Sequence, residues 1–182
     1  MNYIAAMRSI LQLDEKIYQE IHVAGKAATF CMVNVLMCGL LYGFFVMHFI
    51  ESMVQDAAAA QAVPAATVIM YGVGTTFLMH AGAALYLWVF SRGFGGRTAF
   101  LPVYLNLGLA FIGLWPLAPF LAAWQAGVGG AIVHILLGLT ALYGFSVIFM
   151  STKNASGLSM ARMSVAMLVT LIVVGSLLSL WL

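Results

Sequence analysis

The chain has 182 residues, 64% of them hydrophobic and only 7% charged, with a net charge of +2. A soluble domain carries roughly 25% charged residues, so this composition excludes a water-exposed globule, and its scattered charge excludes a nucleic-acid footprint. The expectation is an all-α integral membrane protein with five transmembrane helices and an N-terminal amphipathic segment.

Residues 1–26 read as a cytoplasmic amphipathic segment, and residues 27–182 as the five-helix transmembrane domain. Asp14, Glu15 and Lys16 precede the first long apolar run, which argues against a secretory signal. Tyr3, Ile4, Met7, Ile10 and Leu11 recur at helical spacing, with Arg8 and Gln12 opposite. Asp14 then caps a second short helix carrying Ile17, Tyr18 and Ile21. Such a segment lies on the membrane surface or packs on the cytoplasmic ends of the spans. The two placements are compatible.

Apolar stretches follow at 27–50, 65–90, 98–121, 129–150 and 161–182. Each supplies the ~20 residues needed to cross a ~30 Å hydrocarbon core, and continuously apolar stretches of this kind span as helices. The first span carries Cys31 and Cys38, about 10 Å apart along a helix axis. That separation rules out an intrahelical disulfide, and two buried free thiols are expected. Gly39 and Gly43 form a GxxxG on the same span. Gly72, Thr76, His80 and Ala84 repeat every four residues on the second span, and Gly130, His134 and Gly138 do so on the fourth. Such stripes read as close-packing faces. In the third span Pro116 and Pro119 predict a break near Trp115.

The stretch 91–98, SRGFGGRT, joins the second and third spans. Its Arg92 and Arg97 are the only formal charges between Asp56 and Lys153. Arg8, Lys16 and Lys26 precede the first span, while Lys153 and Arg162 lie between the fourth and fifth. All seven basic residues therefore fall on one side, facing only Glu51 and Asp56 on the other. The positive-inside rule makes the N-terminus cytoplasmic and the C-terminus external. On this threading Trp88 marks the inner membrane edge, and Trp115, Trp124 and Trp181 mark the outer one.

No acidic residue lies inside a span, so carboxylate proton relays are not expected. There is no HExxH and no GxSxG. His48 and Glu51 give only an HxxE, and Gly157 and Ser159 only a GxS. No cofactor is expected and the chain does not read as an enzyme. Three polar residues fall in the inner half of the membrane. Asn34 lies roughly 10 Å in, Asn106 about 12 Å and His80 about 16 Å. Buried polar groups in lipid want partners, and Asn34, His80 and Asn106 are expected to form a structural cluster. A sharper alternative is a small carrier or redox/metal-binding subunit that uses His48, His80 and His134, since imidazole suits copper or haem iron.

The LDxxxY run of Leu13, Asp14 and Tyr18, the GxGGRxxF of Gly93, Gly95, Gly96, Arg97 and Phe100, the proline-bearing third span and the GLSxxR ending at Arg162 together resemble the bacterial branch of the Yip family. The resemblance implies five spans, a cytoplasmic N-terminus, residence in a bacterial inner membrane and no enzymatic activity. Eukaryotic members of that family are adaptors that bind small GTPases through a longer N-terminal region, which this chain lacks. The expected role is thus a non-catalytic adaptor or accessory subunit whose partners are membrane lipids and other membrane proteins. A composite cytoplasmic surface of Asp14, Glu15, Tyr18, Arg92, Gly95 and Arg97 is the expected docking site, with the N-terminal acids meeting the arginines. The competing reading is that the arginines serve only the positive-inside bias.

Overall fold

The computed structural model describes residues 1–53 and 64–179, and every element among them is helical. Asp56 and Trp181 lie outside the described residues. Helices α1 (Tyr3–Leu11) and α2 (Lys16–Val23) precede the long helices α3 (Ala27–Met53) and α4 (Ala65–Gly93). The third apolar stretch divides into α5 (Phe100–Ala110), a 3-10 turn (Phe111–Leu114) and α6 (Leu117–Gln125). Helices α7 (Ala131–Ser156) and α8 (Met160–Ser179) complete the chain.

Among the described residues, α3, α4 and α7 are long and apolar enough to cross a membrane. A fourth crossing results if Phe100–Leu114 and Leu117–Gln125 form one span, broken by a 73° bend. Met160–Val173 is a shorter apolar stretch. The bend has a local cause. Pro116 and Pro119 lack backbone donors, and the helix tightens to a 3-10 turn before them. The result places the short α6 against α3 and α7, and the Tyr42 hydroxyl donates to Gln125 Oε1 at 2.7 Å.

The closest helix pair is α3 with α4, and it is built on missing side chains. A Cβ on Gly39 would stand 2.7 Å from Val73 Cα, and one on Gly43 2.7 Å from Ile69 Cα. The expected stripe of Gly72, Thr76, His80 and Ala84 is buried throughout. The matching expectation for Gly130, His134 and Gly138 fails. Gly138 has open space around it, and His134 is exposed, its Nδ1 2.9 Å from the Gly130 carbonyl one turn back. Helix α7 turns a different face inward, with Gly144, Val147, Ile148 and Ser151 buried. Small-residue spacing alone does not say which face meets protein.

Trp115 is also placed differently from the expectation. Its indole N–H donates to the Asn34 carbonyl at 3.0 Å, so the ring turns back into the bundle instead of marking the outer edge. Trp88 does stand at the basic end, where its N–H donates to the Thr98 carbonyl at 3.2 Å. The turn there is shorter than its sequence signature, because α4 runs through Gly93. Gly95 takes the left-handed conformation, φ +94°, which favours glycine. Gly96 is required for a different reason, since a Cβ would stand 2.8 Å from the Ser91 carbonyl oxygen.

Candidate functional site

The N-terminal segment folds as two short helices joined by a tight turn. Leu13 closes α1 at φ +61°, and Asp14 N–H reaches back to the Ser9 carbonyl at 3.1 Å. That 6→1 bond is a Schellman closure, made here with leucine where glycine is usual. Asp14 Oδ1 accepts from Lys16 N–H at 3.0 Å and so caps α2 as its sequence position predicts.

These helices are docked into the bundle. Ile10, Tyr18 and Ile21 are each fully buried. Several long-range polar contacts hold the segment, among them the following. Tyr3 Oη donates to Asn34 Oδ1 on α3 at 2.5 Å. His22 Nε2–H donates to Asn106 Oδ1 on α5 at 2.6 Å. Lys153 Nζ on α7 pairs with both Glu15 oxygens at 2.7 Å, the one ion pair among the described residues.

The expected cluster of Asn34, His80 and Asn106 resolves into three separate sites. All three side chains are buried, but among the described residues no hydrogen bond joins any two of them. Asn34 Nδ2 donates to the Leu109 carbonyl at 2.8 Å and to Met7 Sδ at 3.2 Å. Asn106 Nδ2 lies 3.3 Å from the Ser151 carbonyl, and Ser151 Oγ donates to the Asn106 carbonyl at 2.5 Å. His80 Nε2–H donates to the Tyr104 carbonyl at 2.9 Å, while its Nδ1 is buried without a partner. The reason is geometric. Three polar groups at similar depth on three helices still point along three different directions, and each takes the nearest carbonyl or side chain.

The three histidines of the metal-binding alternative do not converge. His48 is exposed near the far end of α3, His134 is exposed near the start of α7, and His80 is sealed beside Tyr104 and Phe111. No group of three His, Cys, Asp or Glu side chains placed to hold a metal occurs among the described residues.

The docking-surface residues also separate. Tyr18 is no surface residue. It is fully buried, its hydroxyl lies toward Ser151 without hydrogen-bond geometry, and burial pushes its phenol well above the ordinary range. Glu15 is engaged with Lys153, not with Arg97. Arg92 Nη1 leans on the Thr98 carbonyl at 3.5 Å. Asp14, Arg92, Gly95 and Arg97 are exposed. A Cβ on Gly95 would stand 3.4 Å from Arg162 Nη1, so the hairpin and the α7–α8 turn share one basic end. Sequence reading missed His22, Lys153 and Tyr143 as anchors. His22 was within reach, because it lies one helical turn after Tyr18 and so shares its buried face.

The Glu15–Lys153 contact has a direct test. Charge reversal at either position alone should loosen the N-terminal segment, and the double swap Glu15→Lys with Lys153→Glu should restore it. The pair is partly exposed, so each single reversal should cost about 0–1 kcal/mol. Pairing Glu15→Arg with Arg97→Glu should give no restoration. Limited proteolysis at the N-terminus reads the difference.

Comparison of the chain with protein-family models, with curated proteins and with solved structures finds no match.

Proposed function

We propose that the chain is a five-span, non-catalytic integral membrane adaptor or accessory subunit, Yip-like in arrangement. In this reading it resides in a bacterial inner membrane, with its N-terminus cytoplasmic and its C-terminus outside. The observation that carries the proposal is how the polar residues are divided. Asn34 and Asn106 are occupied by bonds that hold the N-terminal segment. The exposed charges Arg92 and Arg97 are left at the basic end, available to another protein. Buried polar groups that serve internal packing support a structural role over a transport path. The placement of all seven basic residues on one side supports the orientation.

The test is extraction of the tagged chain from its own membrane in mild detergent. A native gel should show a species larger than the 19.5 kDa chain in its micelle, with a discrete protein companion that Arg97→Glu weakens. A lone chain carrying stoichiometric metal or a visible chromophore would sink the adaptor reading.

A further inference from the structure

An open groove of about 540 Å³ runs between α1, the 3-10 turn and α7. Its walls are apolar: Met7 and Leu11 from α1, Ile112 from the 3-10 turn, and the Tyr143 ring from α7. Arg8 and Gln12 also line it, both exposed.

Arg8 would ordinarily be explained as a cation for the C-terminal carbonyls of α1. Those carbonyls are already satisfied. The Arg8 carbonyl accepts from Gln12 N–H at 3.0 Å, Ser9 from Asp14 N–H at 3.1 Å, and Ile10 from Leu13 N–H at 2.9 Å. The Leu11 carbonyl accepts from the Tyr143 hydroxyl at 2.6 Å. The acids that follow are engaged too, Asp14 with the Lys16 N–H and Glu15 with Lys153. No acidic side chain lines the groove, and among the described residues the Arg8 guanidinium has no partner.

Depth sets what can neutralise it. At ~1.5 Å per residue, α7 is about 39 Å long and overhangs a ~30 Å core by roughly 9 Å. Tyr143 stands about 20 Å from the Ser156 end, so even a full overhang there leaves it roughly 10 Å inside the core's edge. Its hydroxyl holds the end of α1, so α1 lies on the hydrocarbon side of the boundary between acyl chains and headgroups. An arginine at that level extends its head toward the interface. Phosphates are the anions there, and guanidinium binds phosphate in a two-pronged fashion.

We propose that this groove is a binding site for one anionic phospholipid of the cytoplasmic leaflet, with an acyl chain against Met7, Leu11, Ile112 and Tyr143 and the phosphate on Arg8. The site depends on the chain lying in a membrane and not on its having a protein partner. A failed search for a companion therefore leaves it standing.

Native mass spectrometry of the full chain in mild detergent tests this, with phosphatidylglycerol and phosphatidylcholine of identical acyl chains as probes. The expected result is one retained phosphatidylglycerol per chain, preferred over phosphatidylcholine. Arg8→Gln should reduce that retention about fivefold, the factor that one arginine contact with an anionic lipid supplies. Gln12→Glu should reduce it as well, by giving Arg8 an acid one turn away on α1. This second variant keeps the test decisive if Arg8→Gln does not fold. Arg8→Lys and Arg97→Gln should retain the lipid. Equal retention of the two lipids by the unaltered chain would overturn the proposal. So would unchanged selectivity in Gln12→Glu, loss of selectivity only in Arg97→Gln, or displacement of the lipid by inorganic phosphate.

Discussion

Gly72→Ala is expected to lower the thermal midpoint of the purified protein by several degrees, whereas Gly74→Ala, two residues away on the same helix, leaves it unchanged or raises it. A Cβ on Gly72 would stand 2.6 Å from Gly43 Cα, 2.7 Å from Gly43 N and 2.9 Å from the Gly39 carbonyl oxygen. Every one of those atoms is backbone, so no side chain can rotate away and the two helices must separate. Overpacking of this kind costs about 1–3 kcal/mol and occasionally more. For a chain of this size that is ~2–4 °C per kcal/mol. A methyl group on Gly74 or Gly138 would meet nothing within 4 Å. There alanine should act only through its better helix propensity, worth up to ~1 kcal/mol. Scanning fluorimetry in one detergent compares all three. Equal midpoints for Gly72→Ala and Gly74→Ala would mean that α3 and α4 do not approach this closely.

The second large effect is expected at Asn34. Asn34→Leu should destabilise the chain and also free its N-terminus. The side chain links three elements: Oδ1 accepts from Tyr3 on α1, and Nδ2 donates to the Leu109 carbonyl on α5 from its own position on α3. Leucine is of similar size, so the loss is one of hydrogen bonding more than of volume. A buried group left without its partner costs about 1–3 kcal/mol. Tyr3→Phe removes only one of these bonds and should cost less, about 0.6 kcal/mol for an average bond between membrane helices. In the Asn34→Leu background Tyr3→Phe should cost nothing further, because the two residues share one interaction. Proteolytic release of the N-terminal segment should rise in Asn34→Leu and in Tyr3→Phe, and the double variant should match Asn34→Leu alone. Strictly additive losses would show that Tyr3 and Asn34 are not partners. His80→Leu provides a contrast, since His80 bonds only the Tyr104 carbonyl and touches no residue of the N-terminal segment through a polar contact.

The Gly108 position illustrates why depth alone did not predict the polar arrangement. A Cβ there would fall 2.1 Å from Cys31 Sγ and 3.1 Å from His80 Nε2. Helix α5 therefore comes close enough to α3 and α4 for its own carbonyls to become the acceptors of Asn34 and His80. The expected side-chain cluster assumed polar partners on facing helices. Close approach supplied backbone oxygens instead.

What the sequence determined by itself was set by hydropathy, charge and local chemistry. Three long apolar runs are long helices because a continuously apolar, uncharged stretch has no other way to satisfy its backbone in lipid. Pro116 ends a helical run wherever the chain goes afterwards. Asp14 caps α2 through atoms two residues apart. The GxxxG of Gly39 and Gly43 marked a true contact face, but the same spacing at Gly130, His134 and Gly138 did not, because spacing records a stripe and not its neighbour. Tertiary structure alone decided how the N-terminal helices are used. Whether Glu15 meets Arg97 or Lys153, and whether Tyr18 faces solvent or Ser151, depends on the order and rotation of helices far apart in the chain. Either pairing satisfies the charge pattern equally well. Only the packing of α1 and α2 against α3, α5 and α7 selects one, because apolar burial of Ile10, Tyr18 and Ile21 fixes the helix faces first and the polar groups then bond what lies within reach.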